Sequence, residues 1–565
     1  MALALIAAAA GTAFAQLGAG QIPPLSSPLE RLQPAPQPKA APPLAPPPAA
    51  PAAPSAGGPP VTIASVEVAG ATVYTAAELA PLYARLIGRT VPQGEAEEAV
   101  RAIQTKYRRD GYFLTVVRGL LEPAGTGMAL RIRVVEGFIS DVKIEGDIGP
   151  AGVLAYRYLQ KLTAIRPVNI SDVERALLLV QGIPGVSARA VLRPGAAEIG
   201  AVELVAQVGR KAFGGVADFD NRGSDFAGPA ELLATVYANS FTSLGDLTQL
   251  TIFNTPFNEE QLFGQLSSSI FVGSDGLKIG GYFGSGITKP GGFLLATGYL
   301  GRLTVGGINA SYPIIRTRPL SLYSNLAFDL SRATIDTLGA GGVRTRQSTT
   351  NLRVLRAGGA LDFQDDTLGL GEVGANSFSF TLHKGIDGLG ASRNDAPLPA
   401  RTGNIIDFLK YTAELTRVQN LFDFQDFLFA LKLSAAGQYT DDILPPNEEF
   451  FLGGARYGRG YFNGEVTGDR AIGTTAELQA STVTEGLLNV GLQYFLFYDH
   501  GVAWSLEPGD PIRHVESAGI GIRADFTPQL TGEIEFDRRF TRNPSGNNTN
   551  PERGEAVFLH LIGRF

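Results

Sequence analysis

From Lys211 to the C-terminus, the sequence is made of short segments in which hydrophobic and polar residues alternate. Glycine, asparagine, aspartate and proline separate these segments, and no long helical pattern interrupts them. In one segment, the first face would carry Val490, Leu492, Tyr494, Leu496 and Tyr498, and the second face Asn489, Gly491, Gln493, Phe495, Phe497 and Asp499. The last segment alternates in the same way and ends the chain on Phe565.

This alternation, with aromatic residues near segment ends, predicts a transmembrane antiparallel β-barrel over residues 210–565. At roughly 22 residues for each strand with its connection, the region would form about sixteen strands. A soluble β-helix or a pair of β-sandwiches is the alternative that the alternation leaves open.

Residues 61–209 follow a different plan, which occurs twice at low identity. Each copy begins with an alternating segment, continues with two amphipathic helical patterns and closes with two further strands. The sequence predicts capping boxes at Thr75–Glu78 in the first copy and Ser171–Glu174 in the second. Each copy is therefore β-α-α-β-β in about 75 residues, a length at which a small sheet with two helices can just bury a core. We place the copies at residues 61–136 and 137–209; a ferredoxin-like tandem is the alternative.

The N-terminal sixty residues contain no core-forming pattern. Residues 1–15 end in Ala13-Phe14-Ala15, which is typical of a signal-peptide cleavage site, although the usual positive region is missing. Residues 16–60 are dominated by proline and alanine, which predicts an extended linker. We therefore expect export.

Composition narrows the function classes. The chain of 565 residues has no cysteine, which excludes disulfide and thiol chemistry, and its net charge of −7 argues against a nucleic-acid partner. The four histidines lack metal-ligand spacing, and no Walker loop or catalytic cluster can be assembled. The sequence thus predicts neither an enzyme nor a cofactor or metal site.

The repeated β-α-α-β-β plan resembles the POTRA domain, a periplasmic module of outer-membrane assembly and secretion proteins. The strings "RRDGYF" and "IRVVEG" of the first copy carry the resemblance most clearly. It implies that the two domains capture client chains, which a free sheet edge can do by adding a strand.

Short motifs in the barrel region resemble the Omp85/two-partner-secretion superfamily, whose two-POTRA members are the TpsB-type secretion transporters. The matching positions are Asp220, Asn221 and Gly223 at the end of the first barrel strand, Tyr312, Pro313 and Arg316 partway round the barrel, Gly458, Arg459, Gly460 and Tyr461 at the tip of an inward-folded loop around 450–470, and Phe497, Asp499 and Gly501 on a later strand. The chain departs from the pattern at Gly458, where the family usually has valine.

The strand register gives the last two motifs a physical interpretation. Phe497, Asp499 and Gly501 would share the face opposite the lipid, where glycine leaves room for a loop against the wall. An arginine at the loop tip could then be held by a charge-assisted contact with the aspartate. Spacing defines each half of this Arg459–Asp499 pair, and the resemblance supplies the pairing.

The resemblance implies an outer-membrane protein translocase of a Gram-negative bacterium, with its POTRA domains in the periplasm. Its partners would be a secreted exoprotein of large β-helical type, outer-membrane lipid, and the outer-membrane assembly machinery, which would read the C-terminal strand and Phe565. An assembly factor for other barrels, a passive porin and an outer-membrane enzyme are the alternatives.

Overall fold

The computed structural model describes Leu29 and residues 57–195, 198–224, 226–366, 373–484, 489–542, 544 and 554–565. The predicted signal peptide (1–15) and nearly all of the predicted linker (16–60) lie outside these residues. Leu29 packs against a buried cluster of barrel residues that contains Phe253, Phe263, Leu303 and Ala333. No helix in the described ranges is both long and apolar enough to cross a membrane.

The first α+β domain has a four-stranded sheet in the order β2-β1-β4-β3, in which β1 and β4 are parallel. Its strands and helices are β1 (Pro60–Ala69), α1 (Ala76–Leu79), β2 (Thr90–Pro92), α2 (Gln93–Arg109), β3 (Val116–Ala124) and β4 (Gly127–Val135), with 3₁₀ turns at Ala80–Leu82 and Ala84–Leu86. The capping box at Thr75 and Glu78 is confirmed. The first helix is shorter than its pattern indicates, because Pro81 lacks a backbone donor and 3₁₀ turns follow α1.

The second α+β domain repeats this arrangement with the sheet order β5-β7-β6, in which β5 and β7 are parallel. Its strands and helices are β5 (Phe138–Glu145), α3 (Gly152–Gln160), α4 (Ile170–Gln181), β6 (Val186–Pro194) and β7 (Ala201–Arg210), with 3₁₀ turns at Gly149–Ala151 and Lys161–Ala164. The predicted capping box at Ser171–Glu174 is wrong. The cap is Asn169 with Asp172, since Asn169 has extended backbone angles whereas Ser171 lies inside the helix.

Glu136, at the end of β4, ties the first domain together. Its carboxylate accepts hydrogen bonds from the backbone N–H of Thr72 (2.8 Å) and Val73 (3.0 Å), the Tyr107 hydroxyl (2.7 Å) and the Thr72 hydroxyl. Burial alone would raise the pKa of Glu136, but these hydrogen bonds to the ionised form outweigh it and hold the pKa below its ordinary value. The string "IRVVEG" therefore contains, as its fifth residue, the glutamate that fixes the β1–α1 connection.

We expect Glu136→Gln to destabilise the first domain at neutral pH by about 1–3 kcal/mol, because an amide cannot satisfy all four donors. Since the folded-state pKa lies below the unfolded-state value, the wild-type contribution is complete above about pH 5 and is lost as the pH falls through the folded-state pKa. The proteolysis rate of this domain in the full chain, followed from pH 7 to pH 3, should rise at low pH in the wild type and depend less on pH in the variant. Glu98→Gln, on an exposed residue of α2, is the control; equal pH dependence in all three proteins would contradict the assignment.

Residues 213–565 form a closed barrel of sixteen strands, in which the last strand pairs with the first. The strands are β8 (Phe213–Asp220), β9 (Glu231–Asn239), β10 (Leu247–Asn254), β11 (Gln261–Val272), β12 (Leu277–Thr288), β13 (Leu300–Arg316), β14 (Leu320–Leu338), β15 (Arg344–Asp365), β16 (Gly374–Gly385), β17 (Leu409–Phe424), β18 (Phe427–Thr440), β21 (Arg470–Thr484), β22 (Val490–Trp504), β23 (Arg513–Thr527), β24 (Leu530–Arg539) and β25 (Glu555–Arg564). Short 3₁₀ turns lie at Gly292–Thr297, Ala340–Gly342 and Pro446–Glu448. The prediction of about sixteen strands is confirmed.

The two faces of the barrel wall differ as the alternation predicts. On β22, Tyr494, Leu496 and Tyr498 are exposed on the outside, whereas Phe497 and Asp499 are buried inside. The outer face is therefore apolar and the inner face polar, as a lipid environment requires.

The two ends of the barrel also differ. The end nearer the α+β domains has short connections, such as residues 425–426 and 528–529, and contacts the second α+β domain. The far end has long connections at residues 386–408 and 441–469. The connection at 441–469 contains a small hairpin of β19 (Phe450–Leu452) and β20 (Val466–Gly468).

Candidate functional site

The long connection 441–469 folds back inside the barrel. Its tip, the turn Tyr457–Tyr461, has Tyr457, Arg459 and Tyr461 buried. Gly458 has φ +83°, and its carbonyl accepts a hydrogen bond from the Tyr461 N–H (3.0 Å), which closes a tight turn. The turn directs the Arg459 side chain at the barrel wall.

Arg459 makes a multidentate contact with Asp499. Its backbone N–H (2.7 Å) and its Nε (3.2 Å) donate to Oδ2, and Nη2 donates to Oδ1 (3.1 Å). The guanidinium carbon also lies 3.5 Å from the centroid of the Phe497 ring. The structure thus brings Arg459, Phe497 and Asp499 together; the strand register predicted that Phe497 and Asp499 share one face, and the family resemblance suggested their pairing with Arg459.

Glycines in the wall leave the room that the loop occupies. A Cβ at Gly501 would lie 2.9 Å from Leu452 of the loop, and one at Gly473 would lie 2.8 Å from the Tyr457 ring. Gly460 approaches the wall in the same way, because its own Cβ would lie 2.8 Å from that of Ser517. Larger side chains at these positions would push the loop away from the wall.

Tyr461 fixes the other side of the tip. Its ring is fully buried, and its hydroxyl lies 2.7 Å from the carbonyl oxygen of Glu516 and 2.8 Å from that of Thr541. Arg539 donates to the carbonyl oxygen of Gly460. The tip is therefore held by β22, β23 and β24 together.

Two partners of the loop tip were missed by the sequence reasoning. Glu477, on β21, forms an ion pair with Arg459, in addition to the pair between Arg459 and Asp499. It also forms an ion pair with Arg523 (2.7 Å). Arg222, inside the Asp220–Gly223 motif, donates to the Arg459 carbonyl oxygen (2.8 Å) and pairs with Glu535. Alternation could have indicated that Glu477 faces the interior, because a charged residue on a lipid-bounded strand must do so, but it could not have indicated Arg222, which lies past the end of β8.

The base of the loop has its own charged anchors. Glu448 pairs with Arg356 (2.8 Å) and Lys410 (2.7 Å). Arg401, from the connection 386–408, pairs with Glu449 (2.9 Å) and Asp469 (2.8 Å). Base and tip are thus held by separate sets of residues.

The Asp220–Gly223 motif lies beside the loop tip. The Asp220 carboxylate accepts the Arg222 N–H (2.7 Å). The Asn221 side chain pairs with β25, since its amide donates to the Val557 carbonyl (3.1 Å) and its oxygen accepts the Leu559 N–H (2.7 Å). Gly223 makes a close backbone crossing, because a Cβ there would lie 1.6 Å from the Gly228 carbonyl oxygen.

The remaining predicted positions lie at the other end of the barrel, away from the loop tip. Tyr312, Pro313 and Arg316 are at the end of β13 nearest the α+β domains, and Arg316 donates to Ser321 (3.2 Å). Phe565 pairs with the backbone of Gly215 across the first–last strand seam, and its ring occupies the space that a Gly215 side chain would fill.

Family models of known proteins match two parts of this chain. Residues 61–137 match the model of the POTRA domain, ShlB-type, and residues 366–524 match that of the haemolysin secretion/activation protein ShlB/FhaC/HecB. The second match contains the loop tip and its partners Glu477, Phe497 and Asp499. Both matches are to models of the Omp85/TpsB superfamily.

Solved structures of the superfamily share the whole fold. CdiB from Escherichia coli matches with a TM-score of 0.71 at 16% identity, over 92% of this chain and 94% of that one. CdiB from Acinetobacter baumannii matches with a TM-score of 0.60 at 15% identity, over 90% of each chain. BamA from Haemophilus ducreyi lacking POTRA domains 1–3 matches with a TM-score of 0.51 at 11% identity, over 89% of this chain and all of that one. No curated protein matches the sequence.

The family match and the fold define the chain's place in the cell. It is an Omp85/TpsB-type transporter of the outer membrane, with a sixteen-stranded barrel and periplasmic POTRA domains. The two α+β domains are called POTRA 1 and POTRA 2 below. The barrel end that contacts POTRA 2 is the periplasmic end, so the connection 441–469 folds inward from the extracellular end.

Proposed function

We propose that this chain secretes an exoprotein of a two-partner system: the POTRA domains bind the client in the periplasm, and the barrel passes it outward. The observation that carries this proposal is the loop tip seated in the pore through Arg459, Asp499 and Glu477. A passive porin needs neither a latched loop of this kind nor POTRA domains. The arrangement suits a channel that stays shut until a client displaces the tip.

The ion pairs at the tip allow release at a limited energetic cost. Glu477 has Arg523 as a second cationic partner, so it stays compensated when Arg459 leaves. Asp499 keeps the Thr475 hydroxyl as a donor. Because unpaired buried charges are expensive, these second partners lower the free energy of the released state.

POTRA 1 offers a surface for an extended client. Strand β3 lies at the edge of its sheet, and among the described strands it pairs with β4 alone. Val116 and Leu120 on this strand are exposed, Leu120 by 61%. An unpaired strand edge with exposed apolar side chains can bind a client segment as an added strand.

Transport would be driven by the client itself. The periplasm supplies no nucleotide, so a client that folds outside the cell would make its return unfavourable. Hydrolysis of a nucleotide stimulated by the client would contradict this mechanism.

Deletion of the gene tests the function. Proteins in the growth medium are compared among the parent strain, the deletion strain and the complemented strain, and porin levels are measured in outer-membrane fractions. We expect one large exoprotein to disappear from the medium and to return on complementation, with porin levels unchanged. Unchanged secretion with reduced porin levels would instead identify an assembly factor, the alternative that the likeness to the BamA fold favours.

A further inference from the structure

Strand β13 runs past its neighbour β12 at the periplasmic end of the barrel. Its ladder with β12 stops at Ser311, whereas the strand continues to Arg316. Within the part of the chain that the structure describes, one edge of the segment 312–316 therefore has no neighbouring strand, and Pro313 has no N–H to pair. The carbonyl groups on such an edge need donors from elsewhere.

A bulge in the other ladder adds to this irregularity. The pairing of β13 with β14 shifts between Pro313 and Ile315, so Ile314 has no partner in that ladder. Two successive carbonyls, of Pro313 and Ile314, are thus presented together. A planar guanidinium is well suited to donate to both.

Helix α4 of POTRA 2 supplies that guanidinium. Arg175 donates from Nη2 to the Pro313 carbonyl (3.0 Å) and from Nη1 to the Ile314 carbonyl (3.4 Å). The preceding residue, Glu174, pairs with Arg318 at 3.7 Å. Two adjacent residues of the helix therefore contact the end of β13 and the turn that follows it.

Shape complementarity supports the contact. A Cβ at Gly276, in the β11–β12 turn, would lie 2.6 Å from a methyl carbon of Leu179 and 2.9 Å from the Pro313 ring. On the same rim, Lys161 pairs with Asp275 (2.6 Å), and the ring centroids of Tyr158 and Phe271 lie 6.5 Å apart. POTRA 2 thus packs closely against the periplasmic rim of the barrel.

The other end of the same helix is joined to POTRA 1. Its cap, Asn169, donates to the Asp110 carbonyl oxygen (2.9 Å), and the Ile170 N–H donates to the Gly111 carbonyl oxygen (2.9 Å). Gly111 has φ +94°, and a Cβ there would lie 2.5 Å from the Asn169 side chain. The Asp110–Gly111 turn of the string "RRDGYF" is therefore an interdomain joint.

We propose that helix α4 is a strut that holds POTRA 1 at a fixed angle to the pore mouth. Its seat is the segment 312–318, which comprises the end of β13 and the start of the turn after it, and Arg175 is its main positioning residue. The resemblance to the superfamily at Tyr312, Pro313 and Arg316 then coincides with a docking site. This inference rests on the proposed function in one respect, namely that the fixed angle presents a bound client to the barrel.

The angle can be measured with two spin labels on the full chain, since the absence of native cysteine allows Cys pairs to be introduced cleanly. Thr105→Cys on POTRA 1 and Gln529→Cys on a periplasmic turn report the POTRA–barrel distance, and Thr105→Cys with Ser187→Cys reports the distance between the POTRA domains. We expect Arg175→Ala to widen the first distance distribution at least twofold and to leave the second unchanged. An unchanged first distribution would overturn the proposal.

Further variants distinguish a positioning role of Arg175 from a general loss of folding. Arg175→Lys, which retains one donor group, should give an intermediate width, whereas Arg189→Ala, at an exposed arginine on β6, should match the wild type. Glu174→Arg should widen the distribution, and adding Arg318→Glu should narrow it again. Failure of the paired exchange to restore the width would count against the seat.

The distances are independent of transport, so this inference and the proposed function can fail separately. If the seat acts in secretion, Arg175→Ala should also lower secretion of the client severalfold at normal barrel levels, and the Glu174→Arg/Arg318→Glu pair should recover it. Widened distances in a protein that secretes no client would leave the strut intact and refute the function. Normal secretion with widened distances would refute the role of the fixed angle.

Discussion

The variant Arg459→Ala should give a barrel that conducts ions far more often than the wild type. The substitution removes the side-chain contacts to Asp499, the ion pair with Glu477 and the stacking on Phe497. Because Glu477 keeps Arg523 and Asp499 keeps Thr475, the cost is that of the lost charged hydrogen bonds, about 1.5–3 kcal/mol, which lowers the ratio of seated to released loop roughly ten- to a hundredfold. Single-channel recordings in planar bilayers measure the open fraction.

Two substitutions bracket this result. Arg393→Ala removes an exposed arginine whose pair with Asp395 contributes about 0–1 kcal/mol, and it should behave like the wild type. Arg459→Lys keeps the charge but loses the fork of donors, and it should fall between the two. A wild-type open fraction in Arg459→Ala would show that the tip is not the latch of the pore.

The barrel could be predicted from sequence because its signal is local. Alternation on a strand such as β22 separates lipid-facing from interior residues without any knowledge of the neighbouring strands. The Arg459–Asp499 pair needed more, since the loop's path across the pore is not encoded in either segment alone. Resemblance to a family supplied that path, and the geometry of the contact agrees with it.

Glu477 and Arg222 were missed for a reason of topology. Arg222 and Glu535 are 313 residues apart in sequence and meet because the closing strand brings β8 beside β25. The alternation within one strand shows which face a residue occupies, but it does not show which residue of another strand that residue contacts. The contacts of helix α4 with the barrel could not be predicted from sequence for the same reason. They depend on how far β13 extends beyond the first residues of β12 at the periplasmic end.

The helix signals failed on a smaller scale. Ser171 and Glu174 have the spacing of a capping box, as do Asn169 and Asp172. Backbone conformation decides between them, and Asn169 has the extended angles of a cap. Sequence spacing alone therefore locates a helix start only to within a residue or two.

The second prediction with a large effect concerns Gly458 at the loop tip, where the sequence departs from the family pattern. Gly458→Val, which introduces the usual family residue, should weaken the latch rather than strengthen it. Gly458 has φ +83°, a region that β-branched residues avoid, at a cost of about 1–3 kcal/mol. The new Cβ would also lie 3.2 Å from the Val515 side chain and 3.4 Å from the Gly453 nitrogen.

Because Arg459 follows directly, relief of this strain would turn its backbone N–H and side chain away from Asp499. We therefore expect a raised open fraction in single-channel recordings, smaller than that of Arg459→Ala. Gly509→Val is a matched control, since Gly509 has φ +88° with open space around its Cβ and lies in the β22–β23 connection, outside the loop. It shares the backbone strain and should leave the open fraction unchanged. If the open fraction of Gly458→Val equalled that of the wild type, the left-handed backbone conformation of Gly458 would not be what positions Arg459.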